Sequence, residues 1–244
     1  MSRSVLTSVG PRAVRPLSSM AARPAFDGEQ AALYKTMFEQ HLHPAGPWNM
    51  MLDAVRSALP SGRGRVLDLA TGPGEPATLI GKALPGVQVI ATDMSEDMIA
   101  SAKKRAESLS NVKCQVADMT DLGAFYDNSF DVVTACYGYM FPDDKARALR
   151  ETHRVLKPGG KLIATYWLEM QMLPLLGEVM TAVLGQTPPP PPQNPLSLKE
   201  PGVFEDMLVT AGFETPTVME SSYPFNIGTD PDFQYKLCAA VEPS

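Results

Sequence analysis

The chain has 244 residues, 44% apolar and 20% charged, enough for one core of ordinary size with a cap over it. No apolar run reaches the roughly 18 residues of a membrane-spanning helix, and a net charge of −6 argues against a nucleic-acid binder, which needs a basic face. Cys114, Cys136 and Cys238 lie far apart without metal-ligand spacing, so they read as unpaired thiols, with no disulfide framework and no metal centre.

The first 26 residues hold Arg3, Arg12, Arg15 and Arg23, five serines and no acid; the first carboxylate is Asp27. Without those four arginines, 17 basic residues face 27 acidic ones, so the remaining body is strongly acidic. An Arg- and Ser-rich, acid-free start is the composition of an organelle transit peptide, with mitochondrial import ahead of plastid import and a cytoplasmic protein with a plain tail as the alternative. The domain proper is expected over 27–244.

Residues 29–43 place Leu33, Tyr34, Met37, Phe38 and Leu42 at helical spacing, and a second amphipathic helix is predicted over 48–59. From Arg65 a regular alternation begins. Strands are predicted at 65–70, 87–92, 112–117, 130–136 and 161–167. Helices lie between them at 75–84, from Ser95 as N-cap, and at 144–156 with Asp143 as cap. Lys157-Pro-Gly-Gly160 breaks the last helix before the fifth strand. Short apolar strands alternating with helices of this length indicate a Rossmann-like, doubly wound, mostly parallel α/β sheet with helices on both faces.

Between 170 and 198 the pattern changes to a Met- and Leu-rich helix followed by six prolines between Pro188 and Pro195. The helix reads as a lid over a substrate cleft or as a homodimer contact, and the polyproline run as a stiff spacer. A helix at 200–211, a strand at 215–223 and a last helix at 230–241 complete the chain.

Four features fall at C-terminal ends of predicted strands, where open α/β sheets bind ligands. Asp68-Leu-Ala-Thr-Gly-Pro-Gly74 follows strand one; Gly72 and Gly74 let backbone approach a ligand, and the next helix offers free N–H groups. Asp93 ends strand two, 19 residues beyond Gly74, the place of a carboxylate accepting two ribose hydroxyls. Asp118-Met119, after strand three, suits the polar edge and flat face of adenine. The loop at 137–141, after Ala135-Cys136, would lie beside the reactive end of such a cofactor.

The segments VLDLATGPGEPA, VIATDMS, VADMTDL, FDVVTACYGYMF and LRETHRVLKPGGKLIATYW, in that order, resemble the motifs of class I S-adenosylmethionine-dependent methyltransferases, most nearly the ubiquinone/menaquinone methyltransferase-like group. The resemblance covers about 50–225. It implies S-adenosyl-L-methionine as cofactor and a small-molecule methyl acceptor. It also implies that Asp68 and the turn Ala70, Thr71, Gly72 and Gly74 surround the methionine part. Asp93 would hold the ribose, with Met94 against adenine, and Asp118 and Met119 would meet its edge. The backbone at Ala135 and Cys136 would face the methionine amino group. Ala70 stands where the family has its first glycine, and the family's closing seventh strand is not expected from the helical pattern at 230–241.

Acceptor-side candidates are Tyr34, Phe38 and His41 on the first helix, Tyr137 and Tyr139 after strand four, and Trp167 after strand five. His41 and His43 point to different faces and read as solvent-exposed, His153 as structural. No catalytic base is assigned, because an activated methyl needs one only when the nucleophile is protonated. Two rival readings stand beside methyl transfer. An NAD(P)-linked oxidoreductase would share the ribose acid but wants a GxGxxG turn, and here Pro76 interrupts that pattern. A non-catalytic, methyltransferase-like assembly protein is the other. A P-loop hydrolase is excluded, since Lys82 is followed by Ala83.

Overall fold

The computed structural model describes residues 46–169 and 194–221, with 177, 178, 181, 182 and 185 between them. The N-terminal segment with Tyr34, Phe38, His41 and His43, nearly all of the 170–193 lid and polyproline stretch, and the 230–241 helix lie outside the described residues.

Helix α1 (Pro47–Ala58) starts with proline at its first position and is followed by strand β1 (Gly64–Leu69). Helix α2 (Ala77–Ala83), strand β2 (Val87–Asp93), helix α3 (Glu96–Arg105) and strand β3 (Val112–Val116) come next. Strand β4 (Phe130–Cys136), helix α4 (Lys145–Val155), strand β5 (Leu156–Thr165) and helix α5 (Val203–Thr210) complete the described elements. The five strands pair in the order β3-β2-β1-β4-β5, all parallel. The order reverses beside β1, and the ends of β1, β2 and β4 converge there on the crevice where such sheets bind ligands.

Alternate residues of β1 serve two cores. Val66 packs with Val89, Ala91, Val132, Leu52, Val55 and Ile80 under α1 and α2. Leu67 and Leu69 pack with Phe130, Val133, Ala135, Leu149 and Phe204 under α4 and α5. Burial on both faces is why these strands read as nearly unbroken apolar runs.

Several boundaries differ from expectation. Helix α4 is capped by Asp144, whose side chain accepts the Arg147 N–H at 2.8 Å, rather than by Asp143. Lys157-Pro-Gly-Gly160 ends α4 as expected, but it enters β5 instead of forming a separate turn; the register shift opposite Phe130 and Val132 absorbs it. Helix α2 begins two residues late, because Glu75 and Pro76 still belong to the turn and a cis peptide joins them. Helix α5 begins at Val203, after Gly202. Residues 215–221 form no strand; they are mostly exposed and Pro216 has no N–H to give a ladder. Among the described residues, no helix is long and apolar enough to cross a membrane, and no cluster of His, Cys, Asp and Glu could hold a metal.

Candidate active site

The turn after β1 is built by long-range hydrogen bonds. The Thr71 N–H donates to the Thr92 carbonyl at 2.8 Å, and the Thr92 hydroxyl returns a bond to the Asp68 carbonyl at 2.9 Å. Ala70 takes φ +52° and Gly72 φ +55°, so the chain turns through the left-handed region at both. Gly72 N–H then donates to Asp93 Oδ2 at 2.9 Å, and Ser95 N–H to Asp93 Oδ1 at 2.9 Å. Burial raises the Asp93 pKa against these backbone donors. Each carboxylate oxygen keeps acceptor capacity for a ribose hydroxyl.

Asp68 is fully buried at the end of β1. Its Oδ1 accepts the Thr134 hydroxyl at 2.6 Å. Asp68 Oδ2 and Thr71 Oγ1 are both buried without a hydrogen bond of regular geometry. Burial pushes the Asp68 carboxyl up to about 7; the Thr134 and Thr71 hydroxyls oppose that, and Glu75 and Asp93 reinforce it. A desolvated carboxylate oxygen with only the Thr71 hydroxyl beside it keeps acceptor capacity for a cationic donor. The ammonium group of a methionine moiety is such a donor, so the residues fit S-adenosylmethionine.

Gly74 has a different job from the one expected. At φ +111°, a Cβ here would lie 3.1 Å from the Ala102 Cα, so the missing side chain lets α3 pack against the turn. The free N–H groups expected at the start of α2 are also partly spent. The buried Glu75 accepts the Leu79 N–H at 2.8 Å and the Thr78 hydroxyl, with Arg105 3.7 Å away.

On the adenine side, Met94 is half exposed beyond β2, and Met119 is buried below the loop after β4. Asp118 Oδ1 accepts both the Thr120 N–H and hydroxyl at 2.8 Å, which fixes this carboxylate at the end of β3. Ala135 is buried, and burial drives the Cys136 thiol up to about 12, so it stays a neutral wall of the site.

The acceptor-side candidates separate. Tyr137, at φ +55°, is held by its N–H on the Thr165 carbonyl and hydroxyl, both at 3.1 Å. Its ring stacks on Trp167 with centroids 4.2 Å apart and planes within 5°. Tyr139 is a correction: its ring is wholly buried and its hydroxyl meets Thr152 Oγ1 at 2.6 Å, so it belongs to the core. His153 is exposed on α4, edge-on to Phe213. A groove runs along β5 and past Tyr137 and Trp167, and its lining does not include Asp68 or Asp93.

Thr134 and Thr165 had no sequence signal. Thr134 reaches Asp68 only because the two are register partners across β1 and β4. A threonine inside an apolar strand looks like any other β-branched residue.

The methyltransferase domain family matches residues 66–160. A demethylmenaquinone methyltransferase of Thermus thermophilus is 33% identical over 175 residues, 66% of this chain and 79% of that protein. A ubiquinone/menaquinone biosynthesis C-methyltransferase UbiE of Desulfotalea psychrophila is 42% identical over 109 residues, and there the match spans only 44% of that relative's length. A SAM dependent methyltransferase from Aquifex aeolicus shares the fold at TM-score 0.52 and 21% identity, over 68% of this chain and 82% of that one.

Proposed function

This chain belongs to the class I S-adenosylmethionine-dependent methyltransferases, in the ubiquinone/menaquinone methyltransferase-like group, and on that premise we propose that its acceptor is a flat, apolar quinone-type ring. The relatives' names supply the acceptor class: those proteins are demethylmenaquinone and ubiquinone/menaquinone methyltransferases. The observation that carries it in this chain is the stacked Tyr137–Trp167 pair at the ends of β4 and β5. A rigid aromatic wall suits a planar ring, which stacks without losing rotamer freedom of its own.

Asp68 and Thr71 would hold the methionine ammonium, Asp93 the ribose hydroxyls, and Met94, Asp118 and Met119 the adenine. S-adenosylmethionine supplies an activated sulfonium methyl, so transfer is an in-line displacement. The protein's own contribution is placement and dryness. Backbone bonds from Thr71 to Thr92 and from Tyr137 to Thr165 hold the turn and the loop rigid on the sheet. Buried Ala135 and the neutral Cys136 thiol at the end of β4 would offer no charge to hold water there. Residues 170–185 would cap the acceptor or join two copies, and residues 1–26 would direct mitochondrial import.

The test is transfer of labelled methyl from S-adenosylmethionine to a prenylated naphthoquinone lacking the methyl, oxidised and reduced, in detergent. Label appearing in the organic phase is expected. Transfer only to water-soluble acceptors would overturn the quinone reading and leave the methyltransferase. Transfer to nothing, with the cofactor bound, would favour the assembly protein.

A further inference from the structure

We infer that Gly138 and Ala70 are a matched pair through which the acceptor-side loop sets the position of the cofactor turn. Gly138 is not in the left-handed region, so backbone freedom does not explain a glycine there. Space does. A Cβ on Gly138 would lie 3.1 Å from the Ala70 Cβ, 3.3 Å from Met119 Cε and 3.6 Å from the Ala135 Cβ. The room a side chain would need is occupied by the methyl that distinguishes Ala70 from the family's usual glycine.

Little around this contact can give way, so a push on it reaches the turn. Met119 Cε is the end of a flexible side chain and can swing aside. Ala135 is fixed in β4, paired with Leu69 on one side and Ala164 on the other. Gly138 cannot retreat, because Tyr137 is pinned by its N–H to Thr165 and Tyr139 by its hydroxyl to Thr152. Ala70 is tethered through Leu69 in β1 and through the Thr71 N–H on the Thr92 carbonyl, and at φ +52°, which L side chains tolerate poorly, its backbone has little slack to absorb a push. A methyl added at 138 therefore pushes Ala70, and with it Thr71 and Gly72. Gly72 carries the push to Asp93 through its 2.9 Å bond. Gly138 is thus a positioning residue that touches no ligand itself and acts through Ala70. The inference rests on the reading that this turn holds the cofactor.

The experiment is a double-mutant cycle read by calorimetry with S-adenosylhomocysteine, with melting temperature measured alongside. G138A is expected to weaken binding about tenfold or more in the parent background, and A70G/G138A to bind within about threefold of A70G, the cycle's reference for the second background. If G138A alone is too unstable to bind, recovery of folding and binding in A70G/G138A gives the same support. A fall in melting temperature with unchanged affinity in G138A would reduce the contact to packing and overturn the inference. So would additive losses in the double variant. No binding by the parent chain would instead overturn the cofactor site, and the pair with it.

Discussion

Gly72 N–H donates to Asp93 Oδ2 at 2.9 Å, so the carboxylate at the end of β2 fastens the turn that follows β1. Asp93 therefore has a structural task beside the one proposed for it toward the ribose. Asp93→Ala removes the acceptor for the Gly72 and Ser95 N–H groups together. It is expected to cost about 1–3 kcal/mol of stability as well as the binding of S-adenosylhomocysteine. A ligand-side experiment separates the tasks. The analogue lacking both ribose hydroxyls should bind the parent protein at least about tenfold more weakly, the worth of hydrogen bonds to a charged group. Equal affinity would leave Asp93 with the turn alone.

The two glycines of the turn should respond differently to alanine. Gly72 is at φ +55°, a region alanine enters at a cost of about 1 kcal/mol. Gly74 is at φ +111°, and its Cβ would meet the backbone of α3 at Ala102. Gly74→Ala should cost about 2–4 kcal/mol, from overpacking added to backbone strain. Denaturant unfolding of the two variants gives the ordering. Equal losses would mean that α3 can shift away from the turn.

The central strands β1 and β4 were legible because they are buried on both faces and carry their own apolar label, and the edge strand β3 because Val112, Cys114 and Val116 alternate with exposed Lys113 and Gln115. The glycine turn, Asp93 and Asp118 were expected at the C-terminal ends of strands, and the structure places them there. What sequence could not show were jobs defined by contacts across the fold. Gly74 serves Ala102, Gly72 serves Asp93, and Thr134 serves Asp68, at separations of 28, 21 and 66 residues. Tyr137 and Tyr139 share the same parity along the chain, so alternation cannot tell wall from core; the left-handed backbone at Tyr137 parts them. Residues 215–221 carry β-branched residues without a ladder partner among the described residues, and propensity alone does not make a strand.

Asp68 predicts a trade between stability and binding. Its pKa is raised from 3.8 to about 7, chiefly by burial. The folded chain thus keeps a proton that the unfolded chain loses near 3.8, and apo-protein stability falls as pH rises from about 4 to 7, then levels. Asp68→Asn keeps an acceptor for the Thr134 hydroxyl and removes the charge. It should stabilise the apo protein on the order of 2–4 kcal/mol at pH 8, with no gain at pH 4. The same change should weaken S-adenosylhomocysteine binding by at least about tenfold, because the ammonium loses its counter-charge. Melting curves at pH 4, 6 and 8 with matching calorimetry test both halves. A stability gain independent of pH would mean that Asp68 is already ionised in the apo protein.

The aromatic wall can be tested apart from the cofactor. The chain has two tryptophans, and Trp48 is fully buried in the first turn of α1 while Trp167 stacks on Tyr137 at 4.2 Å. Replacing Trp167 by leucine removes one face of the wall but none of the hydrogen bonds that build the cofactor turn. S-adenosylhomocysteine affinity should stay within about twofold, while KM for a naphthoquinone acceptor rises about tenfold, at the top of the 0.5–1.5 kcal/mol of ring stacking because apolar area is lost too. Titrating the parent protein with the same quinone should quench the Trp167 emission and spare that of Trp48. A quench that survives Trp167→Leu would place the acceptor elsewhere. An unchanged KM would do the same.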